Sequence, residues 1–373
     1  MIPLPQLRRQ IRQLLDEAVS SGEELGCQLA VYLDGEQILD EWAGWADPDR
    51  TRRVEADTVF PVFSTGKGFA VTALLHLIEQ GRLHLDDRGA DLWPEFGCNG
   101  KEELKVWHIL SHRTGLFETP PCTEAELIDR DIMQQRIAEA VPAWRPGTRA
   151  RYQAITFSWL VPGVAERATG KEFRSIVRDE VASPLGIESL LFYGTTDDAE
   201  QRRAVLVRGS DLPPVKPEEK TLLSPLENAI TFESVRRACL PGFNCHTTAR
   251  AIAKHYAALL GEVEGMPPLL SRAMLDRATT LTRAADDPVP LVPGTWELFG
   301  LGYVLSGPKD DLGRIFGHGG YGGSEGIADR KMRLAVGYTS NSLHLNPRTR
   351  NRIYDHKSLF HSCASLFEKI QPQ

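Results

Sequence analysis

Apolar residues recur at two different spacings along this chain, and the changes of spacing mark out its organisation. Near the N-terminus Ile11, Leu14 and Leu15 fall among Arg8, Arg9 and Arg12 at helical intervals, which predicts an amphipathic helix over residues 1–20. Residues 28–40 (QLAVYLDGEQILD) read as two β-rich runs around Asp34-Gly35, a hairpin that opens an antiparallel sheet. Residues 66–79 (GKGFAVTALLHLIE) are apolar almost throughout and stop at Gly81, the pattern of a helix buried nearly all round. From Asp91 to about Gly186 strand alternation is lacking, and helical patterns run over 106–110, 124–141 and 156–169. A further helix is predicted over 247–260, after a Pro241-Gly242 turn. Strand-like material returns at 299–305, 314–318 and 332–339, interrupted by a Gly307-Pro308 turn and a glycine-rich run, before a closing helix over 350–370. Residues 286–293 form a polar, proline-containing loop.

The simplest architecture for this order is an α/β (α+β) fold. Segments 1–90 and 290–373 share one antiparallel sheet flanked by helices, and 91–289 form a mainly helical insert that borders a cleft.

Composition narrows the function classes. With 42% hydrophobic and 25% charged residues in 373, this is an ordinary globular chain with a sizeable core. A net charge of −7 and the lack of any basic run argue against nucleic acid, so the expected partners are small molecules. The N-terminal stretch lacks a signal peptide's continuous apolar segment, and no run reaches the roughly 18 apolar residues of a membrane span, so a cytoplasmic location is expected. The six cysteines, Cys27, Cys98, Cys122, Cys239, Cys245 and Cys363, contain no CxxC pair and are expected to stay reduced. Cys239 and Cys245 flank the Pro241-Gly242 turn, yet a metal site needs matched ligands elsewhere. No HExxH, P-loop or dinucleotide fingerprint occurs, and no cofactor or metal is expected.

Serine three residues before lysine occurs twice, as Ser64-Thr65-Gly66-Lys67 and as Ser306-Gly307-Pro308-Lys309. Ser306 falls in a Gly-Pro turn between strands. Ser64 opens the buried helix, where residues three apart share a face and Lys67 approaches the hydroxyl, and where the helix start favours developing negative charge. A hydroxyl becomes a useful nucleophile only when something takes its proton, and burial favours the neutral lysine that can do so. A serine N-cap followed by a solvated lysine would explain these four residues equally well.

The wider pattern decides between them. Residues 59–69 (VFPVFSTGKGF), 108–116 (HILSHRTGL), 146–170 (PGTRARYQAITFSWLVPGVAERATG) and 316–329 (FGHGGYGGSEGIAD) together resemble the serine β-lactamase and penicillin-binding protein superfamily, particularly its esterase branch, the family VIII carboxylesterases. The resemblance spans most of the chain and implies a β-lactamase/transpeptidase-like fold. It implies Ser64 as nucleophile, Lys67 as its first proton partner and Tyr152 as general base or proton relay, without settling which of the two takes the proton. It further implies His318, Gly319 and Gly320 as a substrate-binding strand, and the backbone N–H groups of Ser64 and Tyr321 as an oxyanion hole. Ala154 stands where β-lactamases carry an asparagine, and His318-Gly319 where they carry Lys-Thr. Both departures favour esters over β-lactams and peptides.

The resulting expectation is a serine hydrolase cleaving carboxylic esters through an acyl-enzyme. The same machinery admits an acyltransferase, an amidase or D-aminopeptidase, or a weak β-lactamase acting on an ester or amide. A non-catalytic binding or structural homologue is the alternative of another class, and the joint presence of Ser64, Lys67 and Tyr152 argues against it. Asp86-Asp87 reads as a surface turn, His112 as a structural hydrogen-bonding residue, and Trp159 and Trp296 as core aromatics or pocket walls.

Overall fold

A computed structural model describes residues 4–209, 211–216, 220–282, 298–346 and 348–354. The predicted loop 286–293, Trp296, Cys363 and most of the predicted helix 350–370 lie outside the described residues.

Helix α1 (Leu4–Ser20) leads into strands β1 (Gly26–Leu33) and β2 (Glu36–Gly44). Their turn is the one expected, with Asp34 and Gly35 both at positive φ (51° and 83°), the backbone that a tight hairpin requires. Strands β3 (Val304–Ser306), β4 (Ile315–Gly319), β5 (Glu325–Asp329) and β6 (Leu334–Ser340) complete a six-stranded antiparallel sheet in the order β2-β1-β6-β5-β4-β3. The two ends of the chain meet where β1 pairs with β6, Cys27 opposite Ser340 and Leu33 opposite Leu334.

Every residue of β1 is buried because both faces of the sheet are covered. Leu29, Val31 and Leu33 pack with Leu7, Ile11 and Leu15 of α1, while Ala30 and Tyr32 join the main core on the other face. Helix α4 (Ala249–Leu260) lies directly on that second face, although it falls within the stretch 91–289. A Cβ on Gly326 would stand 2.4 Å from side-chain atoms of Ile252 and Tyr256, and one on Gly337 would stand 2.2 Å from the Ala249 carbonyl oxygen. The glycine-rich run therefore conceals β5, a fourth strand that the sequence reading left out. Glycine at the helix contact removes the β-branched residues by which a strand is recognised.

Two other expectations need correction. The helix predicted over 124–141 breaks at Asp129, whose carboxylate caps a new helix by accepting from the N–H groups of Asp131 and Ile132 at 3.0 Å each. Of the strand predicted over 299–305, only Val304 and Leu305 are formed as a strand, which runs on to Ser306, with Phe299 bridged to Val304.

The all-round burial expected for 66–79 is found in α2 (Lys67–Glu79), where ten of thirteen residues are buried. Helix α3 (Phe157–Thr169) ends at Gly170, φ 70°, as the sequence predicts. A second, three-stranded sheet joins Phe60–Pro61, Cys245–Thr247 and Leu191–Tyr193, with Cys245–Thr247 in the middle. It delivers the chain to Ser64. Asp86 and Asp87 are in the expected surface turn, with Asp86 paired to Lys105 at 3.0 Å. Trp159 is 1% exposed and belongs to the core.

Candidate active site

The turn that carries Ser64 is anchored by the strand segment at Cys245. Val62 donates to the Cys245 carbonyl at 2.9 Å, and Phe63 then takes φ 48°, a left-handed conformation costly for an aromatic residue. Residues Phe63–Gly66 form a single 3₁₀ turn before α2 begins at Lys67. Ser64 thus precedes the α-helix instead of opening it. The tighter turn still serves the expected contact, because residues i and i+3 eclipse in a 3₁₀ helix. Lys67 Nζ lies 3.1 Å from Ser64 Oγ.

Lys67 is fully buried, and its amine has no carboxylate partner among the described residues. Besides Ser64, Nζ donates to the carbonyls of Ala154, at 2.8 Å, and Gly242. The rings of Tyr152 and Phe157 lie 4.9 and 5.3 Å from it. Burial holds its pKa well below the usual lysine value of 10.5. The Gly242 carbonyl also faces the Ser64 hydroxyl at 3.3 Å, and the Gly242 N–H donates to Ser158 Oγ at 3.0 Å. The sequence offers no sign of this role for Gly242 or Ser158. Pro241-Gly242 signals only a turn, and a carbonyl contributed by the backbone leaves no residue-type signature.

Tyr152 completes the group. Its ring is partly exposed, but its hydroxyl is buried and makes no hydrogen bond of normal geometry among the described residues. Burial raises the hydroxyl's pKa above 10, and the neighbouring Ser64 hydroxyl only partly offsets this. The ring stacks on Phe299 (centroids 5.9 Å, 10°) and lies beside His112 and His318 at 5.0 and 5.8 Å. Gln153 anchors the loop through its side chain, donating to the Ile109 carbonyl at 3.1 Å and accepting from the Thr114 hydroxyl.

Strand β4 brings His318, Gly319 and Gly320 alongside. His318 is 1% exposed, its Nδ1 lies 2.7 Å from the Gly319 carbonyl, and its pKa is pushed down to about 3 by burial and then by Lys67. Ser324 ties this end of the strand to the Ser64 turn, donating to the Val62 carbonyl at 2.8 Å and meeting Thr65 Oγ1 at 3.1 Å. Gly320 lies in the crevice between them, where a Cβ would stand 2.2 Å from both Ser324 Oγ and the Val62 carbonyl. Gly320→Ala is therefore expected to cost about 1–3 kcal/mol of stability, the usual cost of overpacking. Thermal denaturation reads this directly, and an unchanged Tm would mean that strand and turn separate freely.

Beyond Gly320, Tyr321 is 37% exposed and sets its ring edge-on to Phe63 at 5.4 Å. Its N–H donates to no backbone carbonyl among the described residues. The second Ser-x-x-Lys is elsewhere in the fold. Ser306 ends edge strand β3 opposite Ile315, exposed, and Lys309 is exposed in a short turn.

The geometry thus gathers Lys67 and Tyr152 around the Ser64 hydroxyl, with His318 and the Gly320-Tyr321 segment beside it. The beta-lactamase family model matches residues 11–359 of the chain. The chain belongs to this family. Its sequence is 32% identical over 357 residues to the esterase/beta-lactamase LipL of Mycobacterium tuberculosis, covering 85% of this chain and 77% of that protein. The crystal structure of a family VIII carboxylesterase is similar at a TM-score of 0.79 and 29% identity, over 93% of this chain and 97% of that one. A penicillin-binding protein homolog from Caulobacter crescentus is similar at a TM-score of 0.79 and 28% identity, over 95% and 97%. This member of the beta-lactamase family is a serine hydrolase of the esterase/beta-lactamase kind. No helix among its described residues is long and apolar enough to cross a membrane.

Proposed function

We propose that the protein hydrolyses carboxylic esters of small molecules through an acyl-enzyme on Ser64, with Lys67 as the first base and Tyr152 as the proton donor to the leaving group. The observation that carries this reading is the fully buried Lys67 amine 3.1 Å from Ser64 Oγ, with no carboxylate partner among the described residues. A neutral amine has two N–H bonds and one lone pair, and the two carbonyls of Ala154 and Gly242 occupy the N–H bonds. In that form the Ser64 hydroxyl, 3.1 Å from Nζ and 3.3 Å from the Gly242 carbonyl, can turn its proton from the carbonyl to the lone pair.

In acylation the Ser64 O–H bond breaks, its proton passes to Nζ, and Oγ bonds to the acyl carbon. The carbonyl oxygen becomes an oxyanion held by the N–H groups of Ser64 and Tyr321. Collapse breaks the bond to the alcohol oxygen, which takes the Tyr152 proton, and the Lys67 ammonium restores that proton. Water then attacks the acyl carbon, giving its proton to the same pair, and Ser64 Oγ leaves reprotonated.

The surroundings support a neutral acyl group. Burial favours the uncharged forms of His318 and of Lys67, which has no carboxylate partner among the described residues, so neither side chain offers a cation to a substrate carboxylate. Ala154 offers no side-chain amide for a peptide bond. Each substrate polar group left unpaired in such a site costs about 1–3 kcal/mol. Aryl and alkyl esters are expected to exceed a chromogenic cephalosporin and a D-amino-acid amide in kcat/KM by about 10²-fold or more. A faster amide would favour the amidase reading instead.

The pH profile supplies a second test. Because its pKa is lowered, Lys67 is already the free base at pH values where an ordinary lysine is protonated, and activity is lost only as pH falls through that lowered value. Tyr152, raised above 10, keeps its proton on the alkaline side. The expected kcat/KM profile has an acid limb displaced well below 10.5 and a plateau above it. A rise centred near the ordinary lysine value of 10.5 would contradict it.

A further inference from the structure

His112 is buried within a segment that sequence reading treats as structural, and it touches neither Ser64 nor Lys67 by hydrogen bond. Its contacts converge on one neighbour. The Arg151 N–H donates to the His112 carbonyl at 2.9 Å, and the Gln153 N–H donates to His112 Nδ1 at 3.3 Å. These are the peptide N–H groups on either side of Tyr152, and one residue holds both.

The ring itself leans on Tyr152, with centroids 5.0 Å apart at 72°, and on Phe299 at 4.3 Å and 62°, the ring on which Tyr152 stacks. Because Nδ1 accepts, the proton of the neutral ring is on Nε2. That atom has no conventional acceptor among the described residues, and steep ring crossings of this kind set an N–H edge against an aromatic face. The backbone at His112 has φ 58°, a conformation uncommon for a residue other than glycine, and these contacts support the turn there.

We infer that His112 is a positioning residue for Tyr152: it clamps the main chain before and after the tyrosine and walls its ring, fixing where the hydroxyl sits relative to Ser64. The inference rests on the proposed role of Tyr152 as proton donor. Its specific content is that a hydrogen-bond acceptor at the Nδ1 position is what matters. Two variants isolate this. Glycine and asparagine both tolerate positive φ, but only asparagine returns an acceptor near Nδ1.

His112→Gly is expected to lower kcat on an ethyl ester by about 10- to 100-fold, the cost of misplacing a reacting group by an ångström or less, with KM changed far less. His112→Asn is expected to recover most of that loss. In the Tyr152→Phe background, His112→Gly should cost little more, because the residue through which it acts is already gone. Equal losses in the glycine and asparagine variants, or an undiminished loss in the Tyr152→Phe background, would overturn the inference. Should His112→Gly fail to fold, a His112→Asn protein losing kcat 10-fold or more would do the same. Fluorophosphonate labelling of wild-type Ser64 separates the two levels. Labelling with kcat unaffected in His112→Gly sinks only the positioning role, whereas no labelling sinks the acyl-enzyme reading on which it rests.

Discussion

Lys67→Arg and Lys67→Met are expected to be almost equally inactive, each losing about 10³- to 10⁴-fold in kcat/KM on a short-chain ester, near the upper end of what a positioned proton acceptor contributes. The pairing is informative because the two substitutions differ in charge and agree in offering no basic lone pair at working pH. Arginine restores a cation and several N–H donors but cannot give up its proton at any working pH. Methionine fills similar space with no proton chemistry. If Lys67 served only as a fixed positive charge beside Ser64, arginine would keep much of the activity. If it acts as a base, neither variant can. Both leave the carbonyls of Ala154 and Gly242 short of their present partner, so circular dichroism and Tm must accompany the kinetics. An arginine variant within tenfold of wild type would remove Lys67 from its proposed role.

The second large effect belongs to Tyr152 and depends on the substrate. A proton donor matters little when the leaving alcohol departs readily as an anion and matters greatly when it does not. In kcat/KM, which reports acylation, Tyr152→Phe is therefore expected to be mild on a p-nitrophenyl ester, a few-fold at most, and severe on the matching ethyl ester, about 10²- to 10³-fold. The phenyl ring retains the stacking on Phe299 and the contacts to His112 and His318, so only the hydroxyl is lost. Rates measured across a series of alcohols should fall more steeply with alcohol pKa in the variant. A loss of the same size on every ester would assign Tyr152 to the attack on the acyl carbon instead of to departure of the alcohol.

Much of this arrangement is legible before any coordinates. Asp34-Gly35 announces its hairpin because the turn needs positive φ at both positions, and 66–79 announces a buried helix because scarcely a polar residue interrupts it. Strand β5 is hidden for the opposite reason. At Gly326 the sheet gives up its side chain so that α4 can lie against it, and the alternation that marks a strand is lost with it.

The site divides in the same way. Ser64 and Lys67 are visible through their spacing, and the apolar run after them distinguishes them from Ser306 and Lys309. Tyr152 is visible only through the segment that surrounds it, since nothing in sequence distance ties it to Ser64. The Gly242 carbonyl is not visible at all. It reaches Lys67 across 175 residues of sequence, and a peptide oxygen belongs to every residue type. Ala154 gives the sharpest contrast, because it is noticed in the sequence for the side chain it lacks and contributes in the structure through its carbonyl.

The most direct test of a covalent acyl-enzyme on Ser64 is the intact mass of the protein after brief exposure to a fluorophosphonate, with wild type, Ser64→Ala and Ser306→Ala compared in parallel. A single adduct in wild type and Ser306→Ala, mapped to Ser64 and missing from Ser64→Ala, is the expected result. An adduct that persists in Ser64→Ala, or a wild-type protein that turns over esters yet never takes up the label, would contradict it.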